Sequence, residues 1–365
     1  MPLKPATPHI PASTSGPTRV LIVRLSALGD VLFALPAVHA MQRARPEWEI
    51  HWVVEDKAAQ LLDLVPGLGR RIVYPRRELK RGGPLHRSRA LARHLAALRR
   101  DRYDLVFDFQ GNLKSGVHSR LARARRRIGL PPELSREGNH WLVSEQAGPP
   151  ADRLHRVDEA YAMVRAVLPE LPEEPAAPAL SLPQDAVSAA VASLTRLQLE
   201  AGKYAALHPG TSVFGAFKRW DPERFAALAD DLFARFGIRS LVTWGPGEED
   251  LARSVANASE HAGMAPPTRS LAELGALLQA AAIMVGSDSA PLHLASGLQT
   301  PVVALFGPKD SRKYGPRFGP ARIVSTYVPC RPCTRRTCPD VLCMQEIRVR
   351  QVADACTDLL EDAGR

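Results

Sequence analysis

This sequence contains no hydrophobic run that approaches the roughly 20 apolar residues of a membrane-spanning helix. Its first residues, MPLKPATPHIPASTSGPT, lack the apolar centre of a secretory signal and are rich in Pro, Ser and Thr. Such a composition predicts a disordered tail over residues 1–17. Without an export signal, the expected location of the protein is the cytoplasm.

Cysteine is also scarce, with 5 residues in 365, and four of them lie in the segment CRPCTRRTCPDVLC. In a cytosolic protein, clustered thiols favour metal binding or chance over disulfides. Two interpretations of this C-x2-C-x4-C-x4-C spacing stay open: a structural zinc site, or reduced thiols on a loop. The four residues concerned are Cys330, Cys333, Cys338 and Cys343. Cys356, in the following helical pattern, is expected in the core.

Acidic residues are few in one region of the chain. Between Arg70 and Arg127 there are 18 Lys or Arg against 4 Asp or Glu, so this region carries +14 of a total net charge of +10 and the remainder carries −4. A localised basic surface indicates an anionic partner, such as nucleic acid, anionic lipid or a phosphorylated glycan. No recognised nucleic-acid-binding motif is present. Arg87 to Arg102 alone fits an ordinary solvated helix face.

Short apolar runs alternate with helical patterns, which predicts an α/β fold with a parallel sheet. A chain of 365 residues exceeds the usual size of a single core. The pattern stops at the proline-rich segment PELPEEPAAPALSLP and restarts after it. We therefore expect an N-terminal domain over 18–185 and a C-terminal domain over 186–365 that carries the Cys-rich segment 330–343. Two such domains facing one another would form a cleft lined by the carboxyl ends of their strands.

The loop after the first predicted strand, in RLSALGDVLF, carries Asp30. A carboxylate there could act as the general base that glycosyl transfer requires. The alternative is a residue that only caps the following helix.

The second half places polar residues after three predicted strands. Thr211, Ser212 and Lys218 in HPGTSVFGAFK suit a diphosphate, although the loop is not a Walker motif and could carry only a surface lysine. The loop SDSAPLH combines small residues, a helix start and His293, which again suits phosphate, but a lone histidine is often structural. Glu248 in WGPGEED could accept ribose hydroxyls or serve as a helix cap.

In combination these segments resemble glycosyltransferase family 9, the heptosyltransferases of lipopolysaccharide inner-core synthesis. The matching segments run from about Arg19 to Pro316 and are RVLIVRLSALGDVLFALPAVHA, DLVFDFQGNLKSG, HPGTS with the following Lys and Trp, GPGE, SDSAPLHLA and PVVALFGP. The segments YPRRELKRGG, QGNLKSG and SRE are more similar to the first heptosyltransferase than to the second. The Cys-rich segment lies outside the family's motifs.

The resemblance implies a GT-B fold, in which two Rossmann-like, doubly wound parallel-sheet domains face each other across a cleft. It implies a metal-independent, inverting transfer, so no cofactor is expected for catalysis. The family's catalytic Asp falls on Asp30. Its acceptor-binding residues fall on Arg76, Arg77 and Lys80. Its donor-binding residues fall on Thr211, Ser212, Lys218, Glu248, Asp288, Ser289, Ala290 and His293.

The implied donor is ADP-heptose, and the implied acceptor is Kdo-lipid A or a heptosylated form of it. We then expect a cytoplasmic protein that is peripheral at the inner membrane, without a nucleic-acid partner. Within the family motif D-T-G-x-x-H, this chain has Ser289 for Thr and Ala290 for Gly. Another nucleotide sugar therefore stays an alternative donor, and a basic nucleic-acid-binding protein is the alternative from a different class.

Overall fold

The structure is a computed structural model that describes residues 4–8, 16–150, 155–333, 335 and 338–364. The chain divides into two units, Met1–Ser181 and Leu182–Arg365. Each unit contains a sheet whose strand pairs, in the described residues, are all parallel. The predicted fold class, two α/β domains of the GT-B type, is confirmed.

The first unit contains a seven-stranded sheet in the order β1-β7-β6-β5-β2-β3-β4. Its strands are β1 (Lys4–Pro5), β2 (Arg19–Val23), β3 (Glu49–Glu55), β4 (Arg71–Tyr74), β5 (Arg102–Asp108), β6 (Arg123–Gly129) and β7 (Glu145–Gln146). Its helices are α1 (Leu28–Ala44), α2 (Arg76–Arg81), α3 (Pro84–Arg99), α4 (Leu113–Leu121) and α5 (Arg156–Arg165), with 3₁₀ turns at Ala59–Leu64 and Asn139–Leu142.

The second unit contains a six-stranded sheet in the order β10-β9-β8-β11-β12-β13. Its strands are β8 (Tyr204–His208), β9 (Arg239–Val242), β10 (Ala262–Met264), β11 (Ile283–Ser287), β12 (Val302–Phe306) and β13 (Ala321–Ser325). Its helices are α6 (Gln184–Arg196), α7 (Pro222–Phe236), α8 (Glu249–Asn257), α9 (Leu271–Gln279), α10 (Ala290–Gly297), α11 (Ser311–Tyr314), α12 (Leu342–Gln345) and α13 (Val349–Asp362), with a 3₁₀ turn at Val213–Lys218.

The central strands are continuous apolar runs because both faces of a parallel sheet are covered. Val20 to Val23 in β2 are fully buried, as are the strand residues of β8 from Tyr204 to Leu207. Helix α7 has a capped start: the Asp221 carboxylate accepts the Glu223 N–H at 3.1 Å, and Pro222 occupies the first turn. The functional loops considered below all follow such strands.

The N-terminal segment departs from the prediction of a disordered tail over residues 1–17. Lys4 and Pro5 form β1, which pairs with Glu145 and Gln146 of β7. The Ala6 N–H donates to the Gln146 carbonyl at 2.8 Å, and Arg126 Nη2 donates to the Thr7 carbonyl at 2.9 Å. A short edge pairing therefore orders part of this segment, while residues 1–3 and 9–15 lie outside the described residues.

The units meet in sequence between Ser181 and Leu182, whereas the pattern placed the division after residue 185. Helix α6 starts at Gln184 and packs on α9, burying Ala186, Ala190 and Leu194. This buried stripe assigns the whole of α6 to the second unit. Over the ranges that the structure describes, no helix has both the length and the apolar composition needed to cross a membrane.

Candidate active site

Asp30 lies in the first turn of α1, directly after the loop that leaves β2. Its Oδ2 accepts the Ala27 N–H at 3.1 Å, and its Oδ1 lies 2.9 Å from Nη2 of Arg24. Arg24 is buried and also donates to the Phe109 carbonyl at 2.5 Å. The Asp30 side chain keeps 30% of its surface exposed. Asp30 thus does help to order the helix start, and its carboxylate is also held in one orientation at the open end of the strand.

The loop that carries Asp30 is supported by the end of β5. Gln110 Oε1 accepts the backbone N–H groups of Leu25 at 2.7 Å and Ser26 at 3.2 Å. Asp108 is fully buried, and burial raises the pKa of its carboxyl. That carboxyl accepts hydrogen bonds from the Gln110 N–H and from Asn139 Nδ2. These bonds fix the two neighbouring loops to each other.

Glu55, at the carboxyl end of β3, is a buried carboxylate with two cationic partners. Its Oε2 accepts from Arg76 Nη1 at 2.7 Å, and its Oε1 accepts from Lys114 Nζ. Its side chain is only 2% exposed, whereas those of Arg76 and Lys114 are 42% and 34% exposed. The structure therefore fixes one predicted acceptor residue, Arg76, and adds Lys114 beside it.

Arg77 and Lys80 share helix α2 with Arg76. The backbone N–H of Arg77 donates to Asp56 Oδ2 at 2.7 Å, which ties the helix start to the end of β3. Within the part of the chain that the structure describes, neither the Arg77 nor the Lys80 side chain has an ion-pair partner, and both residues are exposed. All three predicted acceptor residues therefore lie together on the edge of the first unit's sheet.

Lys218 and Asp288 meet at the carboxyl edge of the second sheet. Lys218 Nζ donates to Asp288 Oδ2 at 2.8 Å and to the Asp288 carbonyl at 2.5 Å. His293 Nε2 lies 3.1 Å from Asp288 Oδ1. Burial opposes ionisation of Asp288, but the His293 hydrogen bond and the Lys218 charge together hold its pKa well below its usual range. The cluster therefore combines an ionised carboxylate with a cation beside the start of α10.

Glu248 comes after β9, and its carboxylate turns back over the loop that follows β8. Its Oε2 accepts the Gly245 N–H at 2.9 Å and lies 3.6 Å from His208 Nε2. Burial raises the pKa of Glu248 and lowers that of His208 to about 4. A Cβ at Gly210 would come within 2.2 Å of Glu248 Oε2, so the carboxylate can keep this position only beside a glycine. The Glu248 side chain is 13% exposed, so its carboxylate is placed to accept hydroxyl groups.

The loop between β8 and Lys218 is fixed by the buried Thr211. The Thr211 hydroxyl donates to the Gly215 carbonyl at 2.9 Å and accepts from Arg219 Nε at 3.2 Å. Ser212 is exposed. Of the two predicted hydroxyls, that of Thr211 is thus used to shape the loop, and that of Ser212 faces the surface.

Ser289 and Ala290 form the start of α10. The Ser289 hydroxyl makes no cap bond to the helix, and its Oγ is buried without a hydrogen-bond partner among the described residues. Since the start of a helix attracts anions, this loop can contribute to a phosphate site together with Lys218.

The four clustered cysteines differ in their surroundings. Cys330 and Cys338 are exposed, Cys333 is half-buried, and Cys343 packs into the core of the second unit. Burial raises the pKa of Cys343, and the thiols of Cys330 and Cys338 add to this effect. Within the described residues, no three His, Cys, Asp or Glu side chains could hold a metal ion. The zinc interpretation of these four cysteines therefore stays a prediction, with reduced thiols as the alternative.

Several site residues were missed by the sequence reasoning. They are Arg24, Glu55, Lys114 and Arg219. Arg24 had a usable signal, since it is a charge at the end of the apolar run RVLIVRL. Glu55 had a similar one at the end of EIHWVVE, because a charge that ends a buried strand usually has a partner.

Comparison with known proteins agrees with this geometry. Residues 91–342 match glycosyltransferase family 9 (heptosyltransferase). Lipopolysaccharide heptosyltransferase 1 of Escherichia coli (strain K12) is 31% identical over 300 residues, 80% of this chain and 88% of that protein. The protein of the same name from Pseudomonas aeruginosa is 31% identical over 329 residues, 88% of this chain and 87% of that protein.

Solved structures give the same result. E. coli heptosyltransferase WaaC with ADP has a TM-score of 0.75 and 26% identity, covering 94% of this chain and 100% of that chain. WaaC with ADP-2-deoxy-2-fluoro heptose has a TM-score of 0.70 and 26% identity, covering 95% of this chain and 100% of that chain. The chain therefore belongs to glycosyltransferase family 9, the heptosyltransferase family, and is a glycosyltransferase.

Proposed function

We propose that this protein transfers heptose from ADP-heptose to the Kdo/heptose inner core of lipopolysaccharide, with inversion at the anomeric carbon. The observation that carries the proposal is the cluster of Lys218, Asp288 and His293 at the strand ends of the second sheet. In a family 9 chain, a cation beside a helix start suits the diphosphate of a nucleotide sugar. The relatives named for this activity, and the WaaC structures with ADP ligands, support the same donor.

The donor is bound by the second unit. Lys218 neutralises the diphosphate, Glu248 accepts the ribose hydroxyls, and the remaining residues shape and line the phosphate loops. Those remaining residues are Thr211, Ser212, Asp288, Ser289, Ala290 and His293. The charge that develops on the leaving ADP is stabilised by Lys218 and by the N–H groups at the start of α10.

Asp30 takes the proton of the acceptor hydroxyl. The hydroxyl oxygen forms a bond to the anomeric carbon while the bond from that carbon to the ADP oxygen breaks, and ADP leaves with the electron pair. Attack from the face opposite ADP inverts the configuration. Arg24 and the Ala27 N–H hold the carboxylate in its position during this step.

The acceptor meets the first unit. Arg76, Arg77 and Lys80 offer cations to the carboxylates of Kdo, and Glu55 holds Arg76 in place. We further propose that the protein is cytoplasmic and peripheral at the inner membrane, where its basic residues meet anionic headgroups. No nucleic-acid partner is proposed, because membership in family 9 removes the support for that alternative.

No metal is proposed for catalysis, since Asp30 and Lys218 supply the base and the charge. A structural zinc on the cysteine cluster stays a prediction, with reduced thiols as the alternative. A donor other than ADP-heptose also stays an alternative, because Ser289 and Ala290 stand where the family motif has Thr and Gly.

The decisive test is transfer by the purified protein from ADP-heptose to deacylated Kdo-lipid A. We expect ADP release that depends on the acceptor, and a product whose new linkage has the inverted anomeric configuration by NMR. Other ADP- and GDP-sugars serve as competing donors. Acceptor-dependent release from one of them, with none from ADP-heptose, would establish the alternative donor instead.

A further inference from the structure

An apolar cavity of about 410 Å³ lies in the first unit and is lined mainly by residues of helices α3 and α4. Helix α3 contributes Leu91 and Leu95, and helix α4 contributes Leu113, Val117 and Leu121. Spacings of four residues place each set along one face of its helix. Leu91, Leu113 and Val117 are 42%, 48% and 40% exposed, so the two stripes form an open trough instead of a closed core.

Two imidazoles, those of His94 and His118, line this cavity. His94 Nδ1 lies 3.0 Å from the Val73 carbonyl, and His118 Nδ1 lies 2.7 Å from the Lys114 carbonyl, so both Nδ1 atoms carry the proton. Burial lowers the pKa of both residues, that of His118 to about 4, which keeps them neutral near pH 7. Each Nε2 is therefore an acceptor. That of His94 is buried and has no hydrogen-bond partner among the described residues.

The cavity adjoins the predicted acceptor residues through Lys114. This side chain lines the cavity, pairs with Glu55, and lies 5.6 Å over the Tyr74 ring. Glu55 in turn binds Arg76. Helix α3 adds four arginines and contains no acidic residue. Glu137 is the acidic residue of the cavity wall, so the surround is cationic on the side of Lys114 and helix α3. An apolar trough with cations on that side matches an amphiphile with an anionic head and a hydrocarbon chain.

We propose that this cavity takes one hydroxylated acyl chain of the glycolipid that carries the acceptor sugar. The leucine stripes contact the hydrocarbon, the hydroxyl donates to the unpartnered Nε2 of His94, and Lys114 and Arg76 face the anionic sugar. This inference rests on the proposed function, because it assumes that the acceptor is lipid-linked. Two features favour the glycolipid over a bulk phospholipid. Lys114 belongs both to the cavity wall and to the ion-pair cluster of Arg76, and the Nε2 of His94 would have no hydrogen-bond donor if the acyl chain lacked a hydroxyl group.

The test compares the KM for an acylated acceptor with the KM for the same acceptor after deacylation, below the critical micelle concentration. We expect the wild-type KM to be about tenfold lower for the acylated form, because the binding free energy gained by burying only two methylene groups already corresponds to about a tenfold change. Leu91→Asp should remove this difference and leave the deacylated acceptor and the donor unaffected. Leu85→Asp is the matched control, because Leu85 lies on the same helix, is 64% exposed and is not part of the cavity wall.

Calorimetry with 3-hydroxydodecanoate and dodecanoate tests the hydroxyl contact without any turnover. Wild-type protein should prefer the hydroxylated acid, and His94→Phe should bind both equally. Equal wild-type KM values for the two acceptors would overturn the proposal. Binding to phosphatidylglycerol vesicles that is lost in Leu91→Asp, without an acyl effect on KM, would overturn it in favour of a bilayer lipid. If the protein used neither acceptor but still bound the fatty acids, the proposed function would be wrong and the acyl chain would not come from a glycolipid acceptor. The acyl-binding site itself would stand.

Discussion

Replacing Gly210 by alanine should weaken nucleotide binding without any change to a polar group. A Cβ at this position would lie 2.2 Å from Oε2 and 2.4 Å from Cδ of Glu248. Both contacts are far below van der Waals distance, so the Glu248 carboxylate must move. It would then leave the Gly245 N–H that it accepts at 2.9 Å and the position proposed for the ribose hydroxyls.

The size of the effect follows from the bond that is lost. A hydrogen bond to a charged group contributes about 1.5–3 kcal/mol, so losing one ribose hydroxyl should weaken ADP binding by about 10- to 150-fold. Because Glu248 is held by a single backbone N–H and is partly exposed, it can move without unfolding the domain. We therefore expect a change in ADP affinity that is larger than the change in thermal stability.

Isothermal calorimetry with ADP measures the first quantity, and thermal unfolding measures the second. Gly263→Ala is the matched control, because a Cβ there meets nothing within 4 Å. In a double-mutant cycle, Gly210→Ala should add little to Glu248→Ala, since the clashing carboxylate is already absent. Unchanged ADP affinity in Gly210→Ala, or full additivity in the cycle, would refute the assignment of Glu248 to the ribose.

Four further predictions concern the remaining site. Asp30→Asn should reduce kcat about 10²- to 10⁴-fold with unchanged ADP affinity by calorimetry, and near-normal turnover would remove Asp30 from the role of base. Lys218→Ala should weaken ADP binding about 10-fold or more, whereas Lys203→Ala, which removes an exposed lysine paired with Glu200, should have no effect; equal affinities for the two variants would contradict the phosphate contact. The acceptor KM should rise with added NaCl more steeply than the donor KM, and parallel curves would argue against a cationic acceptor site. Treatment with a chelator should leave the transfer rate unchanged, and a loss of activity that zinc restores would require a metal in catalysis.

The sequence was sufficient for the strands that are buried on both faces. Val20 to Val23 and Val302 to Phe306 are uninterrupted apolar runs, and each is a central strand. Strand β6 was missed because RARRRIG is dominated by arginine. It forms where β5 and β7 supply backbone partners, and Arg126 is neutralised by Glu145 across the sheet. Such a strand depends on its neighbours more than on its own composition.

For the site, sequence reasoning located the loops but not the pairings within them. Lys218 and Asp288 are 70 positions apart, and Glu55 and Lys114 are 59 apart. These contacts arise because parallel strands bring their carboxyl ends to one edge, and the order of strands in the sheet decides which loops meet there. The sequence pattern predicts which residues lie in the loops after the strands. Which of these residues contact each other can be known only from the order of the strands in the sheet.

The two-residue strand β1 also limits how the protein can associate. The unpaired backbone groups of an outer strand can recruit a strand from another chain. In the described chain the outermost position beside β7 is held by Lys4 and Pro5, and proline has no N–H to offer. Deleting these residues, or displacing them with a fusion tag, would leave Glu145 and Gln146 at a bare edge. Purification tags are therefore better placed at the C-terminus, and a truncated N-terminus should increase self-association in concentrated solution.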